Sequence, residues 1–195
     1  MFERSFSMNH ILPTNNEIAA ILPIYTASGN STQLLLTNGE EVFSPFKAAT
    51  IIRRLAYRQT IDLLALKAKA TQITQSTIWQ PLVLAPDLVL VPLKTRNPKI
   101  SGDATGGYIN FPHIVSIKSI EKSTRLHLTG NHFVTSLWKL TTVQMHLRQA
   151  HLFLLNEAFT KDRTQLLQDK LLRMWLENPS NNFAELLRIY AMNRI

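Results

Sequence analysis

The chain has no cysteine among its 195 residues. That removes disulfides, thiolate metal sites and cysteine nucleophiles together, and it agrees with a reducing cytosol. Carboxylates are scarce where bases are dense. Between Lys47 and Arg148, 14 Lys/Arg stand against only Asp62, Asp87, Asp103 and Glu121, a net of +10, whereas the rest of the chain is net −2. Asp87 and Asp103 are the only carboxylates of the central sheet region, and both fall in expected turns, where Asp satisfies local backbone groups. A carboxylate-based nuclease needs two or more converging acids, and this pattern does not offer them.

Other absences narrow the class further. None of the six histidines forms an i, i+4 pair that would aim two imidazoles at one zinc. The stretch Ser101-Gly102-Asp103-Ala104-Thr105-Gly106-Gly107 lacks the Gly-Lys-Ser/Thr ending of a phosphate loop, and there is no Gly-x-Ser-x-Gly elbow. The start of the chain has no signal-peptide pattern. The most apolar stretch, Pro81 to Leu93, is too short to span a bilayer and is broken by Pro86, Asp87 and Pro92. These absences lead to the expectation of a cytoplasmic protein that is not an enzyme and has no cofactor, metal or membrane partner.

What is present reads as α+β: a mixed, mainly antiparallel sheet with two inserted helices, followed by a C-terminal helical region. Glu17 to Pro23 reads as a strand, and Gln33 to Thr37, Asn38-Gly39 and Glu41 to Phe43 read as a hairpin with a type I′ turn. Ser44-Pro45 signals a cap and first helical position for a helix to about Arg58. A second helical segment runs from Thr60 to about Thr71. Leu82 to Leu84 and Leu88 to Val91 are buried strands around a Pro-Asp turn. Tyr108 to Ile120 and Thr124 to Leu137 continue the sheet, with Gly130-Asn131 as a tight turn. From Thr141 the period becomes helical, with Val143, Leu147, Ala150, Leu154 and Ala158 on one seam. Thr164 is the expected cap of a second helix, stopped at Asn178-Pro179, and Phe183, Leu186, Leu187 and Tyr190 mark a third. The expected division is a basic α+β domain over 1–138 and, packed on it, a helical region over 139–195 that offers an oligomerisation or partner surface.

The charge distribution points to a polyanion, because nucleic acids are engaged first through phosphate neutralisation and counterion release. On a helical wheel Lys47, Arg54 and Arg58 fall within a ~40° sector opposite Ala48, Ile51, Ile52 and Leu55, while Arg53 points elsewhere. Lys67 and Lys69 extend the basic run. Lys94, Arg96 and Lys99 lie in the longest expected surface loop, Lys94 to Gly107, and cations on a flexible loop suit backbone tracking or a narrow A·T-rich minor groove. An ordinary amphipathic helix with snorkelling cations, and a plain loop insertion, are the alternative readings of these two segments.

The order of several motifs resembles the ComK family of bacterial competence transcription factors. These are Glu17-Ile18-Ala19-Ala20-Ile21-Leu22-Pro23, the strand into Phe43-Ser44-Pro45, Pro81-Leu82-Val83-Leu84-Ala85-Pro86, Val91-Pro92-Leu93-Lys94-Thr95-Arg96, Gly107-Tyr108-Ile109 leading to Ile114 to Ile120, and Leu128-Thr129-Gly130-Asn131-His132. The resemblance covers roughly residues 17 to 160. After the first helix, where the family carries a Gly-Ser-Ser-Tyr-x-Gly-Arg-like signature, this chain reads Arg58-Gln59-Thr60-Ile61-Asp62-Leu63-Leu64-Ala65-Leu66-Lys67. The resemblance implies an activator that binds paired A/T-rich boxes of double-stranded DNA largely through the minor groove. It also implies action as a homo-oligomer on DNA and, in some members, delivery to a protease by an adaptor. Lys47, Arg54, Arg58, Lys67 and Lys69 are then candidate phosphate contacts, and Lys94, Arg96 and Lys99 the candidate minor-groove loop. The competing expectation is a protein-interaction adaptor, or a diverged regulator without DNA binding, acting through Trp175, Phe183 and Tyr190.

Overall fold

A computed structural model describes residues 12–27 and 29–177, the side chains of 158–164 and 166–177 excepted. The chain runs β1 (Ile18–Thr26), β2 (Gly29–Leu36), β3 (Glu41–Ser44), α1 (Ala48–Arg58), α2 (Leu63–Thr74), β4 (Leu82–Ala85), β5 (Leu88–Lys94), β6 (Gly106–Asn110), β7 (Ile114–Ile120), β8 (Ser123–Leu128), β9 (His132–Ser136) and α3 (Leu140–Glu177). The architecture is α+β, with the strands divided between two antiparallel sheets. One has six strands in the order β3-β2-β1-β6-β5-β4 and the other has three in the order β7-β8-β9. No helix among the described residues is long and apolar enough to cross a membrane.

The six-stranded sheet is covered on both faces, and its sequence shows why. In β5 the run Leu88 to Leu93 is apolar at every position, so a period of two feeds two cores at once. Leu88 and Leu90 pack with Ile18, Ile21 and Leu34 against Ile51, Ile52 and Leu55 of α1. Val89, Val91 and Leu93 face the other way, into a core completed by Leu126, Leu128 and Val134 of the small sheet and Val143, Ala150 and Phe153 of α3. Asn110 lies fully buried between these layers, where its side chain accepts from Val89 N at 2.9 Å and donates to Ile18 O at 2.8 Å and Asp87 O at 2.9 Å.

Several elements differ from the sequence expectation, each for an identifiable reason. Pairing of Ser44 with Thr32 keeps Ser44 in β3, so α1 begins at Ala48 with Lys47 as its N-cap residue. Ser44 Oγ instead accepts from Phe46 N at 3.3 Å. The β2–β3 connection is not the two-residue type I′ turn. Gly39 N donates to Leu36 O at 3.0 Å and Leu36 N to Glu40 O at 2.9 Å, and Gly39 alone has a positive φ, at 90°; this is a three-residue loop with a glycine bulge. Asp62, whose side chain accepts from Leu64 N and Ala65 N, caps α2 and moves its start beyond Thr60. The continuous strand expected over Tyr108 to Ile120 is interrupted by a 3-10 turn at Phe111–His113, with Pro112 inside it, and its halves join different sheets.

Thr164 does not cap a new helix, because α3 is continuous from Leu140 to Glu177. By its contacts the chain divides into two compact units at Leu154/Leu155, within α3. The first therefore includes Val143, Ala150 and Phe153, which are core residues. The second is helical from Leu155 to Glu177. The side chain of Trp175 and the segment carrying Phe183, Leu186, Leu187 and Tyr190 lie outside the described residues.

Candidate nucleic-acid interface

α1 forms as its periodicity demands. Ala48, Ile51, Ile52, Leu55 and Ala56 are buried, while Lys47, Arg53, Arg54 and Arg58 are exposed. The wheel places Lys47 and Arg54 on one face, and Phe46 joins them: the Arg54 guanidinium carbon stands 4.0 Å from the centroid of its ring. This contact orients the cation without neutralising it. Lys47 makes no side-chain cap, and the first turn of α1 contains no acidic residue, so the positive end of the helix dipole adds to the field of Lys47.

Arg58, at the other end of α1, is committed to its own chain. Its Nη1 donates to Leu12 O at 3.3 Å and to Pro13 O at 2.8 Å, and its Nη2 donates to Asn15 Oδ1 at 2.6 Å. It ties the segment before β1 to α1. Glu17 in the same segment has a carboxyl held below the usual range by hydrogen bonds from the Thr14 side chain and backbone, with Arg58 adding a smaller attraction.

The loop between β5 and β6 is pinned rather than free. Asp103 draws it onto the end of the β1–β2 hairpin: it accepts from Tyr25 Oη at 2.5 Å, Asn30 Nδ2 at 2.8 Å and Ile100 N at 3.1 Å. The Tyr25 hydroxyl also accepts from Lys99 N at 2.8 Å. These donors lower the Asp103 pKa to about 2, the Tyr25 bond contributing most and Asn30 next. Arg96 crosses the same junction, its Nε donating to Ala104 O at 2.7 Å and its Nη2 to Asn30 Oδ1 at 2.6 Å. The Arg96 guanidinium carbon and Lys99 Nζ lie 3.9 and 4.5 Å from the Tyr25 ring centroid. Two cations thus lie over one aromatic ring, Arg96 half-buried and held by its own chain, Lys99 exposed.

The two basic segments meet. Lys47 and Ala48 at the start of α1, Arg96, Asp103 and Ala104 of the loop, and Asn30 and Ser31 of β2 line one pocket of about 100 Å³. Arg96 Nη1 is buried and has no hydrogen-bond partner among the described residues. Lys47 and Arg96 therefore share the junction of α1 and the loop with one carboxylate among the described lining residues, Asp103, which its neutral donors keep ionised. Two cations against one carboxylate leave the pocket wall net positive, which favours an anionic ligand over a cationic one.

The remaining candidates lie elsewhere. Lys67 and Lys69 are on α2, the first exposed and the second half-buried. Lys94 ends β5, where its carbonyl accepts from Leu137 N at 2.7 Å and Ser136 Oγ at 3.2 Å and fastens the two sheets together. Sequence reasoning missed Tyr25, Asn30 and Phe46. The first two sit where β1 and β2 extend beyond their apolar alternation, and no local pattern couples them to a loop some 70 residues later. Phe46 carried a signal in being an aromatic residue beside Lys47 at a helix start. Among the described residues no three His, Cys, Asp or Glu side chains gather as metal ligands. Comparison of the chain with protein-family models, with curated proteins and with solved structures found no match.

Proposed function

We propose that the protein is a non-enzymatic DNA-binding regulator that grips the phosphate backbone of an A/T-rich duplex with the junction of α1 and the β5–β6 loop. The observation that carries this reading is the meeting of Lys47 and Arg96 in one pocket, from segments about 50 residues apart in the chain, with Arg54 over the Phe46 ring next to Lys47 and Lys99 on the Tyr25 ring that Arg96 also covers. Tyr25, Asn30 and Asp103 hold the loop in place, which lowers the cost of ordering its backbone on binding. Preference for A/T-rich sites, oligomerisation on DNA and delivery to a protease by an adaptor enter through the resemblance to the ComK family, and a cytoplasmic location through the cysteine-free composition and the lack of a signal-peptide pattern.

The test is binding to labelled A/T-rich and G/C-rich duplexes across a salt series, for the wild type and for Lys47→Ala/Arg54→Ala/Lys99→Ala. These three side chains are exposed, so their removal spares the fold. The reading expects tighter A/T-rich binding and a slope of log K against log salt that is shallower in the variant by up to about 2.7, at roughly 0.9 per phosphate lost. Equal binding by the variant overturns it.

One observation favours an interaction adaptor instead. Phe111, Leu147, His151 and Leu152 line an open, largely apolar pocket beside Arg148, and Leu152 and Met145 are exposed. Exposed apolar surface of this kind marks protein contacts. Loss of a partner protein on Leu152→Asp, together with absent DNA binding, would establish that reading.

A further inference from the structure

The three-stranded sheet has one buried and one open face. Ile117, Leu126, Leu128 and Val134 point into the core. Ser116, Lys118, Arg125, His127, Phe133 and Thr135 alternate with them on the other side. Cross-strand register arranges the open face in two rows, Ser116–His127–Phe133 and Lys118–Arg125–Thr135. In the first row the His127 and Phe133 rings stack with centroids 4.7 Å apart and planes 9° from parallel. Asn131 Oδ1 lies 3.2 Å from His127 Nε2 and steadies the imidazole. Phe133 nevertheless remains 60% exposed.

We infer that this face binds single-stranded DNA, with an unpaired base stacking on the Phe133–His127 pair and its flanking phosphates meeting Lys118 and Arg125. Charge complementarity selects the occupant: the three strands carry two exposed cations and no Asp or Glu. A purely apolar partner would gain from Phe133 but would leave both charges unanswered. A strand of nucleotides uses both rows, since every base has a face to stack and every linkage a negative charge. Adjacent rows are about 7 Å apart along the strands, so a base on the aromatic row leaves its phosphate within reach of long cationic side chains on the next. The choice of DNA over RNA rests on the function proposed above; the geometry of the face does not depend on it.

The experiment is anisotropy of the full chain with labelled oligo-dT of about 12 nucleotides, within the range one sheet-sized site covers, alongside oligo-rU of equal length and the A/T-rich duplex. The wild type is expected to bind oligo-dT more tightly than oligo-rU. Phe133→Ala should weaken oligo-dT binding about ten-fold or more while leaving thermal melting and duplex binding unchanged, and Phe133→Trp should retain it. Lys118→Ala/Arg125→Ala should reduce the salt slope for the single strand by about 1.4. Absence of oligo-dT binding, equal binding by Phe133→Ala, or tighter binding of oligo-rU overturns the inference. If the duplex is not bound but oligo-dT is, and Phe133→Ala loses it, the duplex reading fails and the sheet-face site stands.

Discussion

Tyr25 donates a hydrogen bond to Asp103 across 78 residues of chain, at 2.5 Å, and that bond fixes the basic loop to the first hairpin. Because the folded pKa of Asp103 is lowered from 3.8 to about 2, its contribution to stability is fully present above about pH 4 and is lost as pH falls toward 2. Denaturant melts of the wild type and Asp103→Asn over that range check this. The advantage of the wild type should be constant near neutral pH and should shrink through the acid window. A gap that does not change with pH would show that the carboxylate charge is immaterial to the clasp.

Asn110 is the most heavily committed buried side chain of the large sheet. Its replacement by Ala leaves Val89 N and Ile18 O without their partner in the interior, and removes the bond to Asp87 O at the exposed turn. At about 1–3 kcal/mol for each of the two buried groups abandoned, and allowing for partial relaxation, Asn110→Ala should cost about 2–4 kcal/mol. Asn110→Asp should be no better at neutral pH, because a carboxylate faces two carbonyl oxygens that need a donor. Urea midpoints measure both.

Gly130 marks the contact between the β8–β9 turn and the β2–β3 loop. Its φ is +82°, and an added Cβ would lie 2.5 Å from Leu36 O and 2.9 Å from Gly39 N, both of them backbone atoms that cannot swing aside. His132, close by, holds the same Leu36 carbonyl at 2.9 Å from its Nε2. Gly130→Ala should therefore cost about 1–3 kcal/mol from the backbone conformation alone, with more from the clash. A melting temperature equal to that of the wild type would be incompatible with this packing.

Arg58 separates two roles that its position on α1 leaves open. If it acts as a tie, Arg58→Ala should release the segment Leu12 to Asn15, increase amide exchange there, and lower stability by about 1 kcal/mol while duplex affinity stays near the wild-type value. A loss of affinity as large as that of Lys47→Ala would instead place Arg58 on the DNA.

The eight basic candidates show what a linear pattern conveys. The wheel correctly separated the buried stripe of α1 from its cationic side, because helical period alone sets which residues share a face. It could not tell that Arg54 would lie over Phe46, or that Arg58 would be consumed by Leu12, Pro13 and Asn15, since those partners come from outside the helix. The strands were legible wherever an apolar run or alternation met a turn residue, as around Pro86-Asp87 and Gly130-Asn131. They were illegible at Tyr25 and Asn30, where the hairpin extends on polar residues that its own ladder and the loop satisfy. The cap expected at Thr164 failed because Thr is a helix start only where the preceding turn has ended, and here α3 runs through it.

By itself the sequence determined the α+β class, the apolar stripe of α1, most strand positions and the concentration of positive charge between Lys47 and Arg148. All of these follow from local period, turn chemistry and composition. Only the tertiary structure decided that the strands form two sheets, that Arg96 shares a pocket with Lys47, that Asp103 meets Tyr25, and that His127 and Phe133 stack on an open face. The physical reason is that each of these depends on side chains brought together by burial of two cores, and hydrophobic burial, being non-directional, leaves no mark of its partners in the sequence around any one residue.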